Sequence, residues 1–346
     1  MHIQYFVALD VHKLILFFCV KKADDEIVSE GKIPARRVDL KNWAAALPKP
    51  WRGGMEATLF SSWIYRELEP FADELWMGHP ARMKAISSGK KKSDKLDARM
   101  LADLLRADLF PRCYVMNPQM EALRRQLRFR RLVVHETVKF KNKTTGLLME
   151  HGIEYTKGKI HQKKYFSELL KAEPAITEEL RPLLDFSRGQ IESLGRMDMD
   201  LMKLLGRHPA LQTRVGKLTS IPGVGPVTAL TWALEVGDPE RFSSIKHALS
   251  YCGLSSALRE SAGKEKRGPL SKQRNAYLQP VLIETAKLAP QFNETLKAVK
   301  EKELQKGHAN RATLAVARKL VAYMLAVDRA YFSELKQLKE QAKSAA

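Results

Sequence analysis

Cysteine is scarce: three in 346 residues, Cys19, Cys113 and Cys252, odd in number and far apart. That pattern supports neither a disulfide framework nor a thiolate zinc cage, and it fits a reducing compartment. No apolar run approaches the ~18 residues that a membrane helix needs; the best candidate, Leu14 to Val20, has the length of a strand. The N-terminus lacks the basic-then-apolar layout of a secretory signal, because Asp10 and His12 interrupt it. A cytoplasmic protein with no membrane partner is therefore expected. Repeats and low-complexity tracts are also lacking. With 45% hydrophobic and 28% charged residues, the chain is neither disordered nor collagen-like.

Negative charge is the other shortage. Against 59 Lys+Arg stand 39 Asp+Glu, a net charge of +20. The excess is uneven: +3 over residues 1–110, +7 over 111–210 and +10 over 211–346. A field of that sign attracts a polyanion, and counterion release makes such binding strong and salt-dependent. Nucleic acid is the expected partner. The near-neutral first third suggests that acidic residues there are grouped for a purpose.

That first third reads as α/β. Ile3 to Ala8, Lys13 to Lys22 and Glu26 to Ile33 have strand character. Asp39 to Leu47 has helical spacing and stops at Pro48; Gly53 to Ala57 is a short strand end; Ser62 to Leu68 is helical. Glu74 to Gly78 is another strand, and Asp94 to Leu109 a helix. Three meandering strands followed by alternating units is the order of a ribonuclease-H-like domain, a mixed sheet with helices on both sides. From Pro118 to Arg207 the pattern turns helical, with two long segments, Glu121 to Glu150 and Ile176 to Gly206, suited to a coiled-coil-like hairpin arm. Leu123, Leu127, Val134, Val138 and Leu148 form its expected apolar stripe, and Arg124, Arg128, Arg131 and Lys143 are candidate phosphate contacts. The final third is helical again, broken by glycine loops.

Four carboxylates fall where that plan gathers them: Asp10 at the end of the first strand, Glu56 at the end of the fourth, and Asp94 and Asp97 at a helix start. A spacing of three puts the last two on one helix face. Singly, each has a bland explanation in a strand-end turn or a helix dipole. Together, clustered acids need a cation, and oxygen-ligated Mg²⁺, alone or paired across a phosphodiester, is the natural occupant. Further on, Ile221-Pro222-Gly223-Val224-Gly225 resembles a helix-hairpin-helix turn whose following amides can meet a phosphate. Gly223 and Gly225 are accordingly candidate backbone contacts, with a plain helix–helix turn as the equal alternative. The stretch Tyr251 to Asn275 reads as a polar loop with six basic side chains, Lys264 and Lys272 among them. A serine there becomes a nucleophile only with help from a base, a metal or a charge field. Chemistry alone does not choose Ser261 over Ser255, Ser256 or Ser271.

The ordered set resembles the transposases of the insertion-sequence one-ten family, relatives of the Piv-type DNA invertases described as bridge-RNA-guided recombinases. Leu9-Asp10-Val11-His12-Lys13, Met55-Glu56-Ala57-Thr58 and Lys92-Ser93-Asp94-Lys95-Leu96-Asp97-Ala98 match its Asp-Glu-Asp-Asp set on a RuvC-like domain. Leu127-Arg128-Phe129-Arg130-Arg131 through His151-Gly152-Ile153 resembles its basic helical segment. The glycine turn, Ser261-Ala262-Gly263-Lys264, Leu270 to Asn275 and Ala315 to Leu320 match its second domain. Departures are Ser-Ala-Gly where Ser-Gly-Gly is usual, Arg274 where glycine usually precedes Asn275, and no proline after Gly253-Leu254.

The resemblance implies three domains: a RuvC-like catalytic domain over 1–110, a basic helical arm over 111–210, and a mostly helical domain over 211–346 carrying the serine. It implies a composite site in which Ser261 attacks a DNA phosphodiester while Asp10, Glu56, Asp94 and Asp97 hold Mg²⁺, with Mn²⁺ able to substitute. It further implies donor and target DNA, a noncoding bridge RNA that selects them, and a dimer or tetramer. Two other classes stay open. One is a RuvC-like nuclease or junction resolvase that uses water, the other a non-catalytic nucleic-acid-binding protein.

Overall fold

The computed structural model describes residues 3–86, 93–261 and 264–344, in two compact units, Met1–Val115 and Met116–Ala346. The first unit is built on a five-stranded sheet. Its strands are β1 (Tyr5–Val11), β2 (Ile15–Lys22), β3 (Ile27–Pro34), β4 (Trp51–Glu56) and β5 (Glu74–Gly78), in the order β3-β2-β1-β4-β5. β1, β2 and β3 meander antiparallel, while β4 and β5 run parallel to β1. Strand alternation sorts β1 between two cores. Val7, Leu9 and Val11 pack with Leu40, Ala44, Ile64 and Leu68 of α1 (Arg37–Ala45) and α2 (Ser61–Leu68). Phe6 and Ala8 pack with Ala98, Leu101 and Leu105 of α4 (Asp94–Arg106), joined by Met83 from α3 (Pro80–Ile86), a helix that the sequence pattern did not reveal.

Gly54 of β4 lets α4 lie close, since a Cβ there would stand 2.8 Å from Leu105 and 2.9 Å from Phe110. The buried stripe of α4 runs through Ala98, Leu101, Ala102 and Leu105. One turn before Ala98 and Leu101 come Asp94 and Asp97, so both acids prolong the face that rests on the sheet.

The second unit opens with α5 (Pro118–Glu150), which pairs with α7 (Leu180–Arg207); α6 (Lys163–Ala172) lies between them in the chain. Among the residues sheltered along α5 are Leu123, Gln126, Arg130, Val133, Thr137, Phe140, Thr144 and Leu147, alternating by four and three as in a heptad seam. Val134 and Val138, expected in the apolar stripe, are instead exposed; polar residues occupy half of that seam, including Arg130, which pairs with Asp198 at 2.6 Å.

Helices α8 (Pro209–Thr219) and α9 (Pro226–Val236) meet through the glycine turn. Gly223 has φ +91, and a Cβ on it would lie 2.6 Å from Ala289 Cβ, so no other residue fits. α9 is buried from Thr228 to Val236 and forms the axis of the core. Around it stand α10 (Ile245–Tyr251), α11 (Leu278–Leu288), α12 (Glu294–Leu304) and α13 (Ala309–Ser344). Inside that core Asp328 accepts two bonds from Arg214, at 2.7 and 2.6 Å, and one from Trp232 Nε1 at 2.9 Å.

One expectation is corrected. The stretch read as a polar loop holds an antiparallel pair, β6 (Ser256–Ser261) and β7 (Lys264–Leu270). Ser256–Leu270 contains no valine, isoleucine, threonine or aromatic residue, so nothing in its composition announced strands.

Candidate active site

Asp10 and Glu56 sit at the carboxyl ends of adjacent parallel strands. Leu9 pairs with Met55, so the next step of the register sets the two acids side by side. Alternation turns Asp10 away from the Leu9 core and Glu56 away from the Met55 core, toward the face that α4 covers. The first turn of α4 supplies Asp94 and Asp97.

The residues brought closest are Asp10, Asp94 and His12, whose ligand atoms lie within 4.8 Å of one another. His12 Nε2 is 3.0 Å from Asp10 Oδ2 and 3.6 Å from Asp94 Oδ1. Asp97 and Glu56 are not members of that set. Asp97 is nonetheless near enough to act on Asp10, whose carboxyl is held above its ordinary value. Burial is the main cause, opposed by the hydrogen bond and charge of His12; the charges of Asp97 and Asp94 add to the rise. A carboxylate that is penalised by burial and by like charges is relieved by a cation. Hard oxygen donors with one imidazole, gathered this tightly, suit a divalent metal.

His12 was not among the expected site residues, although its signal was present. Two residues beyond Asp10 on an extended segment, it shares the same face.

Ser261 and Lys264 are placed by their backbone alone, as the facing ends of β6 and β7; their side chains, and Ala262 and Gly263, lie outside the described residues. Lys272 is exposed in the turn after β7. Lys143 is exposed on α5, 3.8 Å from Glu150. Three arginines of α5 are engaged within the second unit. Burial lowers the pKa of Arg124, Arg128 grips Glu235, and Arg131 donates to the Ala276 carbonyl at 2.6 Å. Gly225 precedes α9 with open space beside it, whereas Gly223 is closed in by Ala289.

A mixed sheet of this order, with acids at the carboxyl ends of β1 and β4, fits a RuvC-like fold. Comparison with known proteins agrees. A transposase family model of the IS110 DEDD type matches residues 7–153, and the model described as "Transposase IS116/IS110/IS902 family" matches residues 215–301. The chain belongs to the IS110-type transposases and is a DNA transposase/recombinase.

It is similar to the transposase for insertion sequence element IS1328 of Yersinia enterocolitica, 24% identical over 307 residues, which cover 86% of this chain and 90% of that one. It is also similar to a probable family 20 transposase of Pseudomonas aeruginosa, 23% identical over 254 residues, 73% of this chain and 75% of the relative. The pilin gene-inverting protein of Moraxella bovis is 29% identical over 144 residues, 40% of this chain and 44% of its own length. No helix among the described residues is long and apolar enough to cross a membrane.

Proposed function

We propose that this transposase cuts and rejoins DNA through a phosphoserine link formed by Ser261, with Mg²⁺ held by Asp10, Glu56, Asp94 and Asp97 and with a noncoding bridge RNA choosing donor and target. The observation that carries the metal-assisted reading is the approach of Asp10, Asp94 and His12 to within 4.8 Å at the end of the sheet. The match of a second family model around Ser261 supports a role for residues beyond the acids.

In the first step Ser261 gives up its hydroxyl proton and its oxygen bonds to phosphorus. The phosphorus–oxygen bond to one deoxyribose breaks, and that sugar oxygen takes a proton. Attack by a sugar hydroxyl of the exchanged strand reverses these events and frees the serine. The number of phosphoester bonds is unchanged, so no ATP is consumed. A bound Mg²⁺ would supply charge to the phosphate oxygens, as Mn²⁺ also can. Asp10 and Asp94 orient that charge, Asp97 and Glu56 complete the acidic set, and His12 hydrogen-bonds Asp10 to fix its carboxylate.

The division of labour is 1–110 for the acids, 111–210 for the arm and 211–346 for the serine. The net charge of +20 supports binding of RNA and DNA through backbone and shape, with base pairing left to read sequence. Lys143, Lys264, Lys272 and the amides after Gly225 are the proposed phosphate contacts, joined by Arg124 and by Arg131 where the Ala276 carbonyl releases it. Strand exchange joins two cut sites, so the active form is a dimer or tetramer.

The test is strand exchange by purified protein with bridge RNA and both DNAs. Asp10→Ala, Glu56→Ala and Asp97→Ala should each abolish it with the fold retained, and excess EDTA should do the same. Wild-type exchange by any one variant removes that acid from the set. Full activity in EDTA refutes the metal. Free nicks without rejoining would favour a water-using nuclease.

A further inference from the structure

Glu235 is a carboxylate that the acidic cluster does not use. It stands near the end of α9 with its side chain wholly excluded from solvent. Arg128 of α5 holds it with a planar fork, Nε to Oε1 and Nη2 to Oε2, both 2.7 Å. Asn275 Nδ2 donates to Oε2 at 2.8 Å and reaches the Tyr251 hydroxyl at 3.0 Å. The Tyr251 hydroxyl in turn donates to the Glu235 carbonyl at 2.8 Å.

Tyr251 and Asn275 bracket the β6–β7 hairpin. The Asn275 amide donates to the Tyr251 carbonyl at 2.8 Å, and Ser271 N donates to Ser255 O at 3.0 Å. Asn275 Oδ1 accepts from the amides of Tyr277 and Leu278, both at 2.9 Å, which starts α11. Arg128 and Arg131 both lie over the Tyr277 ring, at 4.4 and 4.9 Å. One face of the arm helix and one buried carboxylate therefore grip the root of the hairpin at its entry and its exit.

We infer that Glu235, together with Arg128 and Asn275, forms a positioning set that aims the Ser261-bearing hairpin and ties its direction to the arm helix α5. A two-stranded hairpin is marginal by itself, so its direction is decided where it is rooted. An ion pair buried in a core is often no more stabilising than apolar residues of the same volume. What it adds here is angle: three donors converge on one carboxylate in fixed directions, and the guanidinium plane fixes the rotation of α5 about its own axis. Apolar contacts would permit sliding and rotation. The inference rests on the reading of Ser261 as the nucleophile.

The test uses full-length protein with bridge RNA and DNA, in three variants: Glu235→Gln, Asn275→Ala and the apolar pair Arg128→Met with Glu235→Leu. Two quantities are read besides fold and DNA affinity: hydrogen exchange of the amides in Ser256–Ser261 and Lys264–Leu270, and the single-turnover rate of covalent adduct formation on saturating DNA. The expected result is hairpin exchange at least tenfold faster and adduct formation at least tenfold slower in all three, with DNA affinity within twofold of wild type. The apolar pair separates positioning from stability, because it refills the core without restoring the angles. Wild-type adduct rate together with wild-type hairpin exchange in that pair, or unchanged hairpin exchange in Glu235→Gln and Asn275→Ala, overturns the inference. Faster hairpin exchange with an unchanged adduct rate keeps the anchor and overturns the nucleophile.

Discussion

Asp10→Asn removes one charge from the cluster and preserves the shape of the side chain, including an oxygen that can still accept from His12. In the metal-free protein the ligand oxygens of Asp10 and Asp94 lie within 4.8 Å. At that distance two unit charges repel by about 0.9 kcal/mol at the permittivity of water and about 3.5 kcal/mol at an effective value near 20. The Asp94 side chain is 47% exposed, so the weaker limit applies and the relief should be about 1 kcal/mol. Burial of Asp10, whose side chain is 18% exposed, works in the same direction. For a unit of this size ~1 kcal/mol moves the melting temperature by roughly 4 °C. Adding Mg²⁺ should invert the order. At 100 times its dissociation constant the ion stabilises wild type by about 2.7 kcal/mol and the variant by much less. Tryptophan fluorescence is the assay, since Trp43, Trp51, Trp63 and Trp76 all lie in the first unit and only Trp232 in the second. A variant that melts below wild type in EDTA, or that gains as much from Mg²⁺, would refute the cluster as a cation site.

Asp328→Ala should cost about 3–5 kcal/mol in urea melts, because it strands the buried Arg214 guanidinium and the Trp232 N–H; a loss under ~1 kcal/mol would contradict the pairing. Nucleic-acid affinity should fall steeply with salt, and Lys143→Ala or Lys272→Ala should each flatten the log–log slope by about 0.7–0.9 if the residue meets a phosphate. Burial pushes the Cys252 thiol up to about 12 and the Cys19 thiol up to about 11. Native protein at pH 8 should therefore leave both unlabelled by a disulfide reagent that labels them after denaturation; rapid native labelling of either would show the core to be open.

Much of the first unit was legible because its local signals agree. β1 and β2 are rich in aromatic and branched residues, Pro48 and Pro70 punctuate the helices, and each acid stands at an element's end. The less legible parts depend on partners far away in the chain. The seam of α5 carries Gln126, Arg130, Thr137 and Thr144, so hydrophobicity pointed to Val134 and Val138, which are exposed. The β6–β7 pair is written in charged and small residues. A lone acid inside Trp232-Ala233-Leu234-Glu235-Val236 does signal a buried, paired carboxylate. Its partner Arg128, 107 residues away, could not be read from spacing. Basic residues on α5 looked alike in sequence; the structure separates Arg128, committed to Glu235, from Lys143, whose side chain is 62% exposed.

The most direct measurement is to quench a strand-exchange reaction in denaturant and locate any DNA–protein bond by mass spectrometry of the digested adduct. The expected result is a nucleotide carried on the peptide containing Ser261, lost in Ser261→Ala while that variant still binds RNA and DNA. DNA cut by wild-type protein with no covalent adduct, or an adduct on Ser255, Ser256 or Ser271 that persists in Ser261→Ala, would contradict the assignment of Ser261 as the nucleophile.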